Sequence, residues 1–273
     1  SAEQLSLAES AEPHWAPDTE LPEKALSFRV QAYGMTRHRD LFTKRQLTAL
    51  STFADLVQEA RTQALADGLP ESRANAVATY LAFAVSKAAD RNTSLCSWES
   101  KMDRMRNTFG RQALPMVWDY AETNPFAGAG GDFLGCVVSL CEVLDKLPRG
   151  LSGKVFQRDA SSNSPAKSGV VVSTDPPYYD NIGYADLSDF FYAWLRPVLA
   201  DLYPHLVETM QVPKAAELVA TPYRFGSKEA ASEHFETGFA RTFRDLRDNR
   251  HHADYPLTIY YAFKQSESDE VED

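Results

Sequence analysis

The chain has 273 residues, of which 44% are hydrophobic, enough for one large α/β domain or for a domain with a helical appendage. Its formal net charge of −10 has the wrong sign for a protein that holds DNA by neutralising phosphates over its whole surface, so any nucleic-acid contact must be local or shared with another polypeptide. No basic-then-apolar leader is visible and no apolar run is long enough to cross a bilayer, which makes a cytoplasmic protein the expectation.

Residues 1–27 form a polar lead-in with Pro13, Pro17 and Pro22 and little periodicity, and read as extended or mobile chain. Residues 28–150 read as a mainly helical subdomain. Its first helix opens at Thr43 with Gln46 three residues on, a capping-box pattern, and Leu47, Leu50, Phe53, Leu56 and Val57 follow at helical spacing. A second helix starts near Pro70 and carries Val77, Tyr80, Leu81 and Phe83, so the two predict a helical hairpin. Cys96, Cys136 and Cys141 include no CxxC pair and the six histidines show no ligand spacing. The cysteines are therefore expected to be buried thiols in a reducing compartment, with no metal bound.

From residue 151 strands alternate with helices. Residues 153–160 read as a short strand ending at Asp159, and the β-branched run at 169–174 reads as a strand buried on both faces. A helix is predicted over about 186–199, burying Phe190, Phe191, Trp194, Leu195 and Val198, with Pro197 in its last turn. A Pro-containing loop then leads to a helix capped by Ser227, with Phe235, Phe239, Phe243 and Leu246 on one stripe. Residues 256–263 supply another buried strand, and 268–273 an acidic tail. This order implies an α/β fold with a mostly parallel sheet covered by helices, the sheet occupying 151–267.

In such a sheet, ligands sit beyond the carboxyl ends of the strands, and Asp175, Pro176, Pro177 and Tyr178 fall there. These residue types suit one chemistry. An adenine amine is a poor nucleophile because its lone pair is delocalised into the ring. The Asp175 carboxylate and the Pro176 carbonyl can each accept one amine hydrogen, which favours a geometry with the lone pair directed at an incoming methyl group. Two successive prolines stiffen the turn, so the acceptors need no reorganisation. Tyr178 offers a face for stacking an extruded base. The competing reading is an ordinary strand-to-loop turn, because Asp and Pro are common turn formers.

The segment resembles motif IV of the adenine-N6 DNA methyltransferases. Its continuation YDNIGYADLSDFFYAWL is similar to the large adenine-specific DNA methylases that carry a zinc-ribbon, as are the stretches at 40–50, 107–126, 213–226 and 255–267. The resemblance implies a partial Rossmann-like fold that uses S-adenosylmethionine, DNA as partner, and a role in restriction-modification or phage defence. It assigns Asp175, Pro176, Pro177 and Tyr178 to amine binding and base stacking, and places Asp159 with Ala160 near the donor's adenine ring. The family's glycine-rich donor turn, of the type DPFxGxG, and its zinc-ribbon cysteines are not found here. The chain therefore resembles a middle-to-C-terminal portion, and an upstream polypeptide carrying the donor turn is an expected partner.

Residues 124–131, NPFAGAGG, superficially match that turn but follow VWDYAET rather than a β-branched strand. They read either as a donor contact or as a loop before a helix starting near Leu134. For DNA phosphates the candidates are Lys101, Arg104, Arg106 and Arg111, with Lys214 and Arg224 in the later loop, where Tyr223 either assists stacking or packs. The alternative for these cations is a solvated face or ion-pair partners. The leading expectation is a site-specific DNA adenine-N6 methyltransferase, or its target-base portion. The alternatives are a catalytically incomplete DNA- or partner-binding subunit and an RNA methyltransferase using the same amine chemistry.

Overall fold

The computed structural model describes residues 1–148, 150, 153–162 and 169–262. The chain divides into two compact units, the first comprising Ser1–Gly153 and Asp186–Val212, the second Lys154–Ala185 and Pro213–Asp273.

The first unit is helical. A short α1 (Ala2–Glu9) precedes the helical hairpin α2 (Lys44–Ala66) and α3 (Glu71–Asp90). Thr43 caps α2 as the sequence predicts. Its hydroxyl accepts from the Gln46 N–H at 3.2 Å, and the Gln46 Oε1 accepts from the Thr43 N–H at 2.8 Å. Gly68, at φ 88°, ends α2 in the left-handed conformation that a side chain would resist, and Pro70 opens α3.

The packing of the hairpin departs from expectation. α3 buries Ala74, Ala78, Ala82, Val85 and Ala89 rather than its bulky residues, and Val77 and Phe83 are each 41% exposed. A stripe of methyl groups lets two helices approach closely, and that outcompeted the larger apolar face. The buried core joins Leu47, Leu50, Phe53 and Val57 of α2 to Phe190, Trp194 and Val198. These last three belong to α5 (Tyr184–Leu199), which starts two residues before the predicted bound and ends where predicted, while Phe191 and Leu195 of the predicted face are half-buried. Phe42 stacks on Phe190 at 5.9 Å and meets Trp194 edge-on at 5.4 Å.

The lead-in is neither extended nor loose along its whole length. Trp15 contacts Trp194 at 5.4 Å, Leu21 is buried, and the Leu21 N–H donates to the Thr36 carbonyl at 2.8 Å. A two-stranded antiparallel hairpin follows α3, β1 (Ser97–Glu99) with β2 (Arg104–Arg106), and α4 (Phe133–Lys146) begins at an Asp132 cap. Of the cysteines, Cys96 and Cys136 are buried and Cys141 is exposed, because α4 buries only Cys136 fully. Burial pushes the Cys136 thiol above its ordinary pKa.

In the second unit β3 (Ser173–Thr174) runs parallel to β4 (Thr258–Ile259), and a separate isolated parallel bridge joins Val170 to His251. A short turn of helix, α6 (Pro222–Phe225), precedes α7 (Lys228–Asp245), which Ser227 caps as predicted. The aromatic stripe of α7 is present, with Phe235 stacked on Phe239 at 4.0 Å and Phe239 meeting Phe243 at 5.5 Å.

Two strand expectations fail. Residues 153–160 form no strand, and Val155 and Phe156 are 98% and 64% exposed. The 169–174 run is not buried on both faces, since Val171 is 62% exposed. Among the described residues β3 and β4 are the only strands paired in parallel, and the wide sheet of a Rossmann-like fold is not seen. The architecture is mixed helix with small sheets. Phe263, at the end of the predicted last strand, and the acidic tail 268–273 lie outside the described residues.

Candidate active site

The Asp175–Tyr178 turn leaves the end of β3, and β4 fixes where that turn begins, because the Tyr260 N–H donates to the Thr174 carbonyl at 2.8 Å. Asp175 is exposed, and Pro176, Pro177 and Tyr178 are partly exposed. The turn closes through the Asn181 N–H, which donates to the Tyr178 carbonyl at 2.9 Å. Tyr179, next in the chain, is held at φ 45°, a left-handed conformation that costs a non-glycine residue energy. Its surroundings impose that conformation. The Tyr179 carbonyl accepts from the Ala220 N–H at 3.0 Å, its hydroxyl donates to Ser232 at 3.2 Å, and its ring meets Phe235 edge-on at 5.0 Å. Anchoring Tyr179 in this way leaves Tyr178 on the accessible side of the turn.

The Tyr178 hydroxyl donates to the Asp175 Oδ1 at 2.6 Å, and its ring lies edge-on to Tyr261 at 5.7 Å. That hydrogen bond to Asp175, more than burial, raises the Tyr178 phenol above its ordinary pKa. The Tyr184 and Tyr261 phenols are also raised, in both cases chiefly by burial. The turn thus presents a carboxylate and an aromatic ring together, with the carboxylate already accepting one internal proton donor.

Beside the turn, Glu217 accepts from the Ala185 N–H at 2.9 Å and pairs with Arg224, the two side chains being 12% and 11% exposed. Arg224, a candidate phosphate contact, is therefore engaged and largely enclosed, while Lys214 is half-buried and Tyr223 is 37% exposed. In the first unit Arg104, Arg106 and Arg111 are exposed on or just after the β1–β2 hairpin, Lys101 lies in its turn, and the Arg104 Nε donates to Glu99 at 2.9 Å. Trp98, 55% exposed on the same hairpin, and the fully exposed Trp118 are aromatic neighbours that a search for cations passes over.

Asp159 sits in a local turn. Its Oδ1 accepts from both the N–H and the hydroxyl of Ser161, each at 2.8 Å, and Ala160 sits inside that local turn. The Ser161 hydroxyl in turn receives Arg241 at 2.8 Å. The 124–131 segment is a loop before α4, with Asp132 accepting from the Gly128 and Gly135 N–H groups at 3.1 and 2.8 Å. Among the described residues no group of three or more His, Cys, Asp or Glu side chains is placed to hold a metal ion, and no helix is long and apolar enough to cross a membrane. Comparison of the chain with family models, with curated proteins and with solved structures gave no match.

Proposed function

We propose that the chain is the target-base-binding portion of a cytoplasmic DNA adenine-N6 methyltransferase. The observation that carries this reading is the turn itself: Asp175 exposed at the end of a parallel strand, two prolines behind it, and Tyr178 partly open beside it. An extruded adenine stacked on Tyr178 would place its amine at the Asp175 carboxylate and the Pro176 carbonyl. Those two acceptors would orient the amine lone pair for methylation, and the stiff turn would hold them there before the base arrives. To bind the amine, the carboxylate must share or exchange the Tyr178 hydroxyl that it now accepts.

Of the residues assigned to the methyl donor, Asp159 already has its Oδ1 engaged by Ser161 within a local turn. We accordingly derive no step through S-adenosylmethionine. The same observation favours the second reading, a subunit that binds DNA or a partner and depends on a separate donor-binding polypeptide.

Tritiated methyl incorporation into unmethylated DNA by the intact assembly tests the first reading. Asp175→Ala is expected to lower it about a hundredfold or more without unfolding the chain, and unchanged incorporation would sink it. Equal labelling of RNA would move the substrate to that polymer. Calorimetry of the chain with S-adenosylmethionine separates the two readings, because tight binding excludes the incomplete subunit.

A further inference from the structure

In the first unit a cavity of about 420 Å³ is lined by α2, the end of α3 and the segment before α4, a size usual for small-molecule sites. Its polar groups are unusually placed. Gln46 is 4% exposed, its Oε1 is occupied by the Thr43 N–H, and its Nε2 is buried with no hydrogen-bond partner among the described residues. A buried amide N–H is seldom left so unless something brings it an acceptor. Asn92, also lining the cavity, spends its Nδ2 on the Ala88 and Gly131 carbonyls at 2.7 and 3.2 Å, which leaves the Oδ1 to act as an acceptor.

The two charges at the cavity cancel. Arg45 and Glu122 form a two-pronged pair at 3.1 and 2.7 Å, so neither is left to select an ion. The rest of the wall is apolar, with Leu50 beside Phe53, which is itself stacked on Phe133 at 4.1 Å. A neutral ligand with an apolar body and an edge carrying both an acceptor and a donor matches this lining. Nucleobases have that construction, and amide side chains read such edges.

A second depression shares Glu122, Thr123 and Asn124 with the cavity and adds Arg91, Trp98 and Arg104. Trp98 is exposed, and Arg104 forms an exposed pair with Glu99, a weak contact that a phosphate can replace. An aromatic face beside exchangeable cations is how proteins follow a single strand.

We propose that the cavity binds an unstacked nucleobase through Gln46 and Asn92, with the adjoining sugar-phosphate at Trp98 and Arg104. This second base site is independent of the Asp175 turn. A free nucleoside and a base splayed from a single strand share the recognised chemistry, and the test separates them.

The full chain carrying Asp175→Ala, which disables the other candidate base site, is titrated with the four common nucleosides and with a mixed-sequence single-stranded DNA, and binding is followed by calorimetry. Binding of at least one probe is expected. Gln46→Met keeps the volume and the Thr43 cap to the backbone N–H, and it should weaken that binding about tenfold or more. Ala49→Trp, which fills the cavity, should abolish it. Arg104→Ala should weaken the oligonucleotide alone if the source is a strand, and should change nothing if it is a free nucleoside. The proposal is overturned if neither probe binds, or if binding is indifferent to both Gln46→Met and Ala49→Trp. Should Gln46→Met fail to fold, Ala49→Trp decides. Loss of methylation in Asp175→Ala leaves this result untouched, so the two proposals fail separately.

Discussion

The α2–α3 hairpin and the β3–β4 ladder are held together in different ways. In the hairpin, caps at Thr43 and Pro70, a left-handed Gly68 and a continuous alanine stripe all specify the same geometry, and the large side chains of α5 complete one buried core. The ladder has two paired residues on each strand, and Val171, Ile259 and Tyr260 are 62%, 43% and 61% exposed. Apolar burial therefore cannot be what keeps the second unit in shape at β3. The second unit also contains the aromatic packing of α7 and two largely enclosed ion pairs, Glu217–Arg224 and Asp245–Arg250. The candidate site is built on the thin ladder, where exposed strand ends leave a carboxylate and a ring accessible, whereas the thick core provides no such opening at α5.

Truncating the largest core side chain should give the greatest loss. Trp194 is 1% exposed and touches both Phe42 and Trp15, so Trp194→Ala is expected to destabilise the first unit by about 3–5 kcal/mol. Denaturant unfolding followed by near-ultraviolet circular dichroism checks this, and a loss below about 1 kcal/mol would mean that the core is looser than described. Removing Arg224 should come next. With its partner Glu217 only 12% exposed, Arg224→Ala leaves an uncompensated carboxylate and is expected to cost about 3 kcal/mol. The double variant Arg224→Ala with Glu217→Gln should recover part of that loss. No recovery would show that the pair does not hold the second unit.

What could be read from the sequence was what depends on near neighbours. Thr43 and Ser227 cap their helices because the bonded N–H lies three residues ahead, and the face of α5 follows from the spacing of Phe190, Trp194 and Val198. The Asp175 turn was legible for the same reason, since four adjacent residues carry it. Distant partners decided the strand that failed. The valines of 169–174 suit a strand buried on both faces, but burial needs strands and helices that the described chain does not place there. Asp159 has its Oδ1 engaged by Ser161 two residues on, and Arg224, for which an ion pair was the alternative reading, is taken by Glu217 seven residues back. Hydropathy also misjudged α3, where Val77 and Phe83 drew attention to the wrong face. An Ala74-Ala78-Ala82 spacing is the signal that could have corrected it.

A smaller effect tests the local rule on which the hairpin depends. Thr43→Ala removes the hydroxyl that accepts from Gln46 and should cost about 1 kcal/mol, whereas Thr43→Ser should cost much less. Equal losses in the two variants, measured by thermal unfolding, would mean that α2 is positioned by its packing alone.

The smallest effect concerns the ladder's own site. The Asp175 carboxylate raises the Tyr178 phenol above the ordinary tyrosine value of about 10. A group whose folded pKa is raised contributes below its unfolded pKa and loses that contribution as pH rises through the folded one. The contribution of the Tyr178–Asp175 hydrogen bond that this shift reports is therefore present at neutral pH and is lost as the phenol ionises in the alkaline range. Tyrosine ring-carbon NMR across pH 8 to about 12, with Tyr178→Phe to identify the resonance, should show Tyr178 titrating later than an exposed tyrosine. In Asp175→Ala the same resonance should move back toward the ordinary value. If it does not move, the carboxylate and the ring are not held together, and the turn loses the geometry on which the proposed amine recognition depends.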